Sequence, residues 1–134
     1  MSKPALAELT DKLAGAGFLL LGGFDPGTSD SVPTLSAGGP AASLLLVGST
    51  GPSLWPVFSQ SLEFQDGLAD PLDRYTKRVL SQIAADNGHD VVFPFEGPPY
   101  HPFQQWALRC GGFSQSPLGP MVHETYGPWL GFRA

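Results

Sequence analysis

His123 carries the most chemical promise in this chain of 134 residues. It lies between Val122 and the turn Glu124-Thr125-Tyr126-Gly127-Pro128, where an imidazole would be partly desolvated and could donate or accept one hydrogen bond. A histidine satisfied inside a core is the other reading of the same residue, and both stand at this point. His89 falls between a helix and a strand, and His101 follows Pro99-Tyr100. No Ser-His-Asp set and no carboxylate pair can be assembled, so no residue is assigned a catalytic role. Cys110 is the one cysteine. It rules out an intrachain disulfide, a four-cysteine iron-sulfur cluster and a cysteine-rich zinc site within this chain, and reads as a buried thiol.

Three further groupings have chemistry and a plainer alternative. Gly48-Ser49-Thr50-Gly51-Pro52 stands between an apolar strand and a helix, where free backbone N–H groups favour an anion. It lacks the lysine of a P-loop and the third glycine of a dinucleotide fingerprint, so a tight turn serves equally. Arg74, Lys77 and Arg78 share one helical face: a positive patch for an anionic cofactor or peptide, or simply a solvated face. Tyr100, His101, Phe103 and Trp106 surround a proline-stiffened loop and could wall a flat organic ligand or fill a core.

These residues must be positioned by elements that the pattern predicts. Leu6, Leu9 and Leu13 recur at helical spacing behind Ser2 and Pro4, with a stop at Gly15 to Gly17. Phe18-Leu19-Leu20-Leu21 reads as a buried strand entering a loop from Gly22 to Pro40, and Ser43 to Val47 as a second strand. One helix then bears Leu54, Trp55, Val57, Phe58 and Leu62. Asp70-Pro71 opens the clearest helix, with Asp70 as N-cap, an apolar stripe of Leu72, Tyr75, Val79, Leu80 and Ile83, and an end at Asn87-Gly88. Asp90 to Phe95 reads as a third apolar strand, with Pro94 marking an edge or an early end. Pro102 fits the first position of a short helix that carries Phe103, Trp106, Ala107 and Cys110. Met121-Val122-His123 and Trp129 to Phe132 read as two strands of a hairpin joined by a five-residue turn.

The length fits one domain, and the element order predicts an α+β fold with one sheet built near residues 18, 44, 91, 121 and 130. Hydrophobic residues make up 42% and charged residues 14%, which excludes disorder; Gly 17 and Pro 14 punctuate the apolar runs and imply many loops. A net charge of -5 lacks the basic footprint that nucleic-acid phosphates require, so no nucleic-acid partner is expected. The N-terminal stretch has no apolar core of a signal peptide, and no run approaches a membrane span, so a cytoplasmic protein is expected. Arg133-Ala134 falls inside a strand, as it would in the N-terminal part of a longer protein. An open terminal edge of this kind predicts pairing with a second copy.

The C-terminal run Ser116-Pro117-Leu118-Gly119-Pro120-Met121-Val122-His123-Glu124-Thr125-Tyr126-Gly127-Pro128-Trp129-Leu130-Gly131-Phe132-Arg133 resembles CblC-type cobalamin-processing proteins. There an apolar strand ends in His, followed by aromatic-Gly-x-Trp and a strand carrying Arg. Leu44-Leu45-Leu46-Val47-Gly48-Ser49-Thr50 and Asp70-Pro71-Leu72-Asp73 match more weakly, in the same order. The terminal run, with the Phe-Pro-Phe-x-Gly-Pro-Pro-Tyr and Pro-Phe-Gln-x-Trp segments of Phe93 to Trp106, is also similar to small bacterial ferredoxin-like proteins related to epoxyqueuosine reductase. The resemblance implies a flavin-reductase or nitroreductase-like α+β scaffold, a corrin macrocycle (cobalamin) as ligand, and reductive removal of its upper ligand by reduced flavin or glutathione. It places His123 on the corrin face; Tyr126, Trp129 and Arg133, within the same expected hairpin, and Tyr100, in the proline-stiffened loop, are the further cofactor-binding residues expected. The chain departs from the CblC pattern by ending at Ala134, and it lacks every cluster cysteine of the ferredoxin-like relatives.

Overall fold

The computed structural model describes residues 2–118 and 121–134; Met1, and the Gly119-Pro120 step of the terminal run, lie outside them. Helix α1 (Lys3–Gly15) starts where the Ser2 side chain accepts the Ala5 N–H, and it buries Leu9 and Leu13. Beyond its end the chain turns at Gly17, whose φ of +92° is open to glycine and where a Cβ would stand 3.0 Å from the Leu54 backbone. Strand β1 (Leu19–Phe24) follows, then a loop with one 3-10 turn at Thr28–Asp30. Strand β2 (Leu44–Ser49) runs antiparallel to β1, with Leu19 opposite Gly48, Phe24 opposite Leu44 and an irregularity at Leu21. The last strand, β5 (Gly131–Phe132), pairs on the other edge of β2, giving the order β1-β2-β5.

Alternation along β2 divides the interior. Leu45 and Val47 pack with Leu9, Leu13, Phe18, Phe58, Tyr75 and Leu80, under helices α1, α2 (Gly51–Phe58) and α4 (Pro71–Asp86). Leu44 and Leu46 pack with Phe103, Trp106 and Ala107 of α5 (Phe103–Cys110). The central strand is thus covered on both faces, as its uninterrupted Leu-Leu-Leu-Val run requires. Full burial of each such leucine contributes roughly 1.5–3 kcal/mol. The Tyr75 hydroxyl adds a cross-link by donating to the Ala16 carbonyl at 2.7 Å.

Several expectations are corrected. Asp90 to Phe95 is not a strand: among the described residues it has no ladder partner, it enters a turn at Pro94, and only Phe93 is driven deep into the core, because the apolar run secures burial without specifying a partner. The terminal hairpin does not form either. A segment the pattern left unassigned, β3 (Phe113–Gln115), takes β4 (Met121–His123) as its antiparallel partner, while β5 crosses to β2. The single sheet is therefore two, of three and two strands. The helix expected through Leu62 breaks at Ser61, whose hydroxyl caps a separate α3 (Leu62–Gln65). Asp70 precedes α4 in the left-handed region, φ 51°, and its side chain makes no capping bond; Pro102 precedes α5 rather than opening it. No helix among the described residues is long and apolar enough to cross a membrane.

Candidate functional site

Pairing of β3 with β4 sets Phe113 opposite His123, and the Phe113 ring meets the imidazole edge-on at 4.7 Å. The chain then folds back on itself: His123 and Gly127 exchange backbone bonds at 3.0 and 2.9 Å, Gly127 having a φ of +61°. Inside this turn the Thr125 and Tyr126 N–H groups both donate to His123 Nδ1, at 3.0 and 3.3 Å. Tyr126 stacks on the ring at 5.0 Å. His123 is buried, as the reading of a histidine satisfied inside the core expects and a partly exposed pocket residue does not. Two donors aimed at Nδ1 require it to be the unprotonated nitrogen, so the neutral ring carries its hydrogen on Nε2 and offers a donor there. A Cβ on Gly112 would lie 3.5 Å from that Nε2 and 3.4 Å from the Glu124 carboxylate, so the glycine keeps the approach narrow but unfilled.

Of the other expected site residues, Tyr126 is held against His123, and Trp129 follows with 81% exposure, its N–H donating to the Tyr126 carbonyl at 3.4 Å. Arg133 extends from the end of β5 over Gly131 and donates from Nε to Ser49 Oγ at 2.7 Å. Burial pulls the Arg133 pKa below its ordinary value, partly offset by the charge of Asp73. Among the described residues no carboxylate forms an ion pair with it. Tyr100 stands apart: it is 64% exposed, lies over Gly97 and makes no ring contact with His123, Tyr126 or Trp129.

The remaining groupings resolve to structure. Thr50 caps α2, its hydroxyl accepting the Ser53 N–H while the Ser53 hydroxyl accepts the Thr50 N–H, so the turn after β2 is a capping box. Arg74, Lys77 and Arg78 are each paired, with Asp66, Glu96 and Glu63, which neutralises the patch. Phe103 and Trp106 are core, and His101 stacks on Trp106 at 5.7 Å. Among the described residues no group of three or more His, Cys, Asp or Glu side chains is placed to hold a metal ion.

Sequence reasoning passed over a cavity of about 820 Å³. Leu13, Leu45, Leu80, Ile83, Val91 and Trp106 are among its walls, and none of His123, Tyr126, Trp129, Arg133 or Tyr100 borders it. Its one signal in the sequence is the long aperiodic loop from Gly22 to Pro40, whose second half forms the rim. No family model, no curated protein and no solved structure matches this chain.

Proposed function

We propose that this chain is a CblC-like domain with a flavin-reductase or nitroreductase-like scaffold, which holds a corrinoid in the cytoplasm, in a redox or trafficking role, without turning it over. The observation that carries the reading is the fixing of His123 by the Thr125 and Tyr126 N–H groups, which leaves an oriented Nε2 donor in the turn that precedes the exposed Trp129. A corrin presents a broad flat face ringed by amide carbonyls, and cobalamin adds a phosphodiester. An indole face, an N–H donor and an arginine that forms no ion pair among the described residues suit those groups. The donor set does not suit a histidine–cobalt bond, because the nitrogen that the turn leaves unheld already bears the proton. The corrinoid is accordingly held by stacking and hydrogen bonds.

The test is a titration with hydroxocobalamin followed in the visible spectrum. A saturable shift retained through gel filtration supports the assignment, and an unchanged spectrum at saturating ligand removes it. Addition of reductant and an alkylcobalamin should then give binding without loss of the alkyl group. A second reading, a cofactor-free scaffold or the N-terminal part of a ferredoxin-like protein, is favoured by one observation: the large cavity lies away from His123. It predicts a folded protein with no spectral response.

A further inference from the structure

Two loop segments line the cavity of about 820 Å³: residues 32–37 with 41–43, from the connection between β1 and β2, and residues 88–92, which follow α4. Among the described residues one polar contact joins them. The Asp90 carboxylate accepts from the Ser36 N–H at 2.6 Å and from its hydroxyl at 2.8 Å, one donor to each oxygen. These bonds, the N–H first, hold the Asp90 carboxyl below its ordinary pKa, so the acceptor stays charged at neutral pH. Ser36 and Asp90 are both exposed, which puts the contact at the rim of the cavity rather than its floor. Little else holds the loop. Among the described residues, the other hydrogen bonds of residues 31–43 stay inside the segment, from the Leu35 N–H to the Gly39 carbonyl and from the Gly38 N–H to the Leu35 carbonyl. Val32 alone of these residues packs against the core, Leu35 is 38% exposed, and residues 33–43 carry no charge that could form an ion pair. Both ends are firm by contrast: Asp30 is held by Trp106 and Arg109, and Leu44 begins the ladder opposite Phe24.

We propose that residues 33–43 form a lid over this cavity, latched to the segment after α4 by Ser36 and Asp90 and hinged at its two fixed ends. Most of its side chains are small, so swinging it away brings little apolar surface of its own into water and costs little beyond the latch. Gly38 and Gly39, with φ of +97° and +85° and open space at both Cβ positions, leave its tip free of contacts. Hydrogen bonds to a charged acceptor exist only in the closed state, and they set the balance between closed and open. Opening bares Leu45 of β2 and Leu80 and Ile83 of α4, which line the cavity. A segment with few buried contacts and one fastening belongs to the low-stability end of a fold, from which gates are drawn. The corrinoid assignment plays no part in this inference, and the lid governs access whatever the cavity holds.

NMR on the full chain tests it through two readouts: amide hydrogen exchange, and methyl relaxation with the neutral nitroxide TEMPOL dissolved as a probe of solvent access. In Asp90→Ala the Ser36 amide should exchange about tenfold faster or more, the loss of bonds to a charged acceptor. The Leu80 and Ile83 methyls should relax about twofold faster with TEMPOL than in the parent, while those of Leu54, in the same half of the core but away from the cavity, should not change. Ser36→Ala, which leaves Asp90 and one of the two bonds in place, should give the same pattern at smaller size. Faster Ser36 exchange with unchanged Leu80 and Ile83 methyls would overturn the proposal, because the contact would then order only its own loop. Unchanged Ser36 exchange in Asp90→Ala would overturn it too. So would a change at Leu54 alongside Leu80, which would make Asp90 a support of the whole fold.

Discussion

The indole Nε1 of Trp106 donates to the backbone carbonyl of Asp30 at 2.7 Å, joining α5 to the turn at Thr28–Asp30 across 76 residues of sequence. Trp106 is 1% exposed, and the Asp30 side chain is held in turn by Arg109 at 3.0 Å. One ring therefore both fills the core under β2 and anchors the start of the long loop that rims the cavity. Trp106→Phe keeps an aromatic there but removes the donor and part of the volume. The expected cost is about 1–3 kcal/mol, read as a lower urea midpoint with an unchanged slope. A change below about 0.5 kcal/mol would show that the loop is anchored elsewhere.

Gly48 tests the β2–β5 ladder directly. A Cβ there would lie 2.8 Å from the Gly131 carbonyl oxygen and 2.6 Å from Leu21 Cδ1. The side chain can turn aside; the carbonyl belongs to the ladder and cannot. Gly48→Ala should cost about 1–3 kcal/mol and speed exchange of the Arg133 amide, which donates to Val47. Gly15, with no atom within 4 Å of its Cβ position and a place at the end of α1, supplies the contrast: Gly15→Ala should stabilise by about 0.5 kcal/mol.

Acid stability should depend on Glu63. Its hydrogen bonds from Arg78, more than Coulomb attraction, hold its carboxyl below the ordinary value of 4.5, while burial opposes them. A carboxyl with a lowered folded pKa stabilises fully above its unfolded pKa, and that contribution disappears as pH falls through the folded value. Glu63→Gln should lower stability at pH 7 by about 1 kcal/mol, a modest figure because Arg78 remains half in water. Between pH 5 and 3 it should also flatten the decline in unfolding free energy relative to the parent, about as far as the two pKa values differ. Parallel pH curves for the two proteins would remove Glu63 from the account.

Much of this arrangement was legible locally, and the failures share a cause. Leu9 and Leu13, or Tyr75 and Leu80, reveal a helix because their spacing alone states which face is buried, and the structure buries all four. Phe93 shows the limit. Its apolar neighbours correctly signal burial, yet pairing depends on a partner that the run itself does not specify. At the C-terminus the nearest strand in sequence looked like the partner of Met121-Val122-His123, but Arg133 bonds to Ser49, 84 residues away. His123 stood out for its neighbours; that two backbone N–H groups would close on its Nδ1 required the turn geometry.

Cys110 should be a slow nucleophile. Burial pushes its thiol up to about 11 from 9.0, although the charge of Arg109 pulls the other way. At pH 8 a displacement of that size leaves about 100-fold less thiolate than in the unfolded chain. Alkylation by iodoacetamide should therefore be at least that much slower in the native protein than in urea. Equal rates would mean that α5 opens readily and exposes its last turn.

The last expectation separates the two meanings of His123. Replacing it with alanine leaves the Thr125 and Tyr126 N–H groups without their acceptor, so His123→Ala should cost about 1–3 kcal/mol whatever the residue does for a ligand. Loss of corrinoid binding in that variant would prove little, because the turn carrying Trp129 would be loosened with it. Asparagine resolves this, since its carbonyl oxygen can stand near the Nδ1 position and accept from the same two N–H groups, but it has nothing where Nε2–H pointed. His123→Asn should recover most of the lost stability in thermal unfolding and still bind hydroxocobalamin about tenfold more weakly than the parent, the loss of one well-placed hydrogen bond. If asparagine restores stability and binding together, the imidazole serves only to close its turn, and any corrinoid is held by other groups.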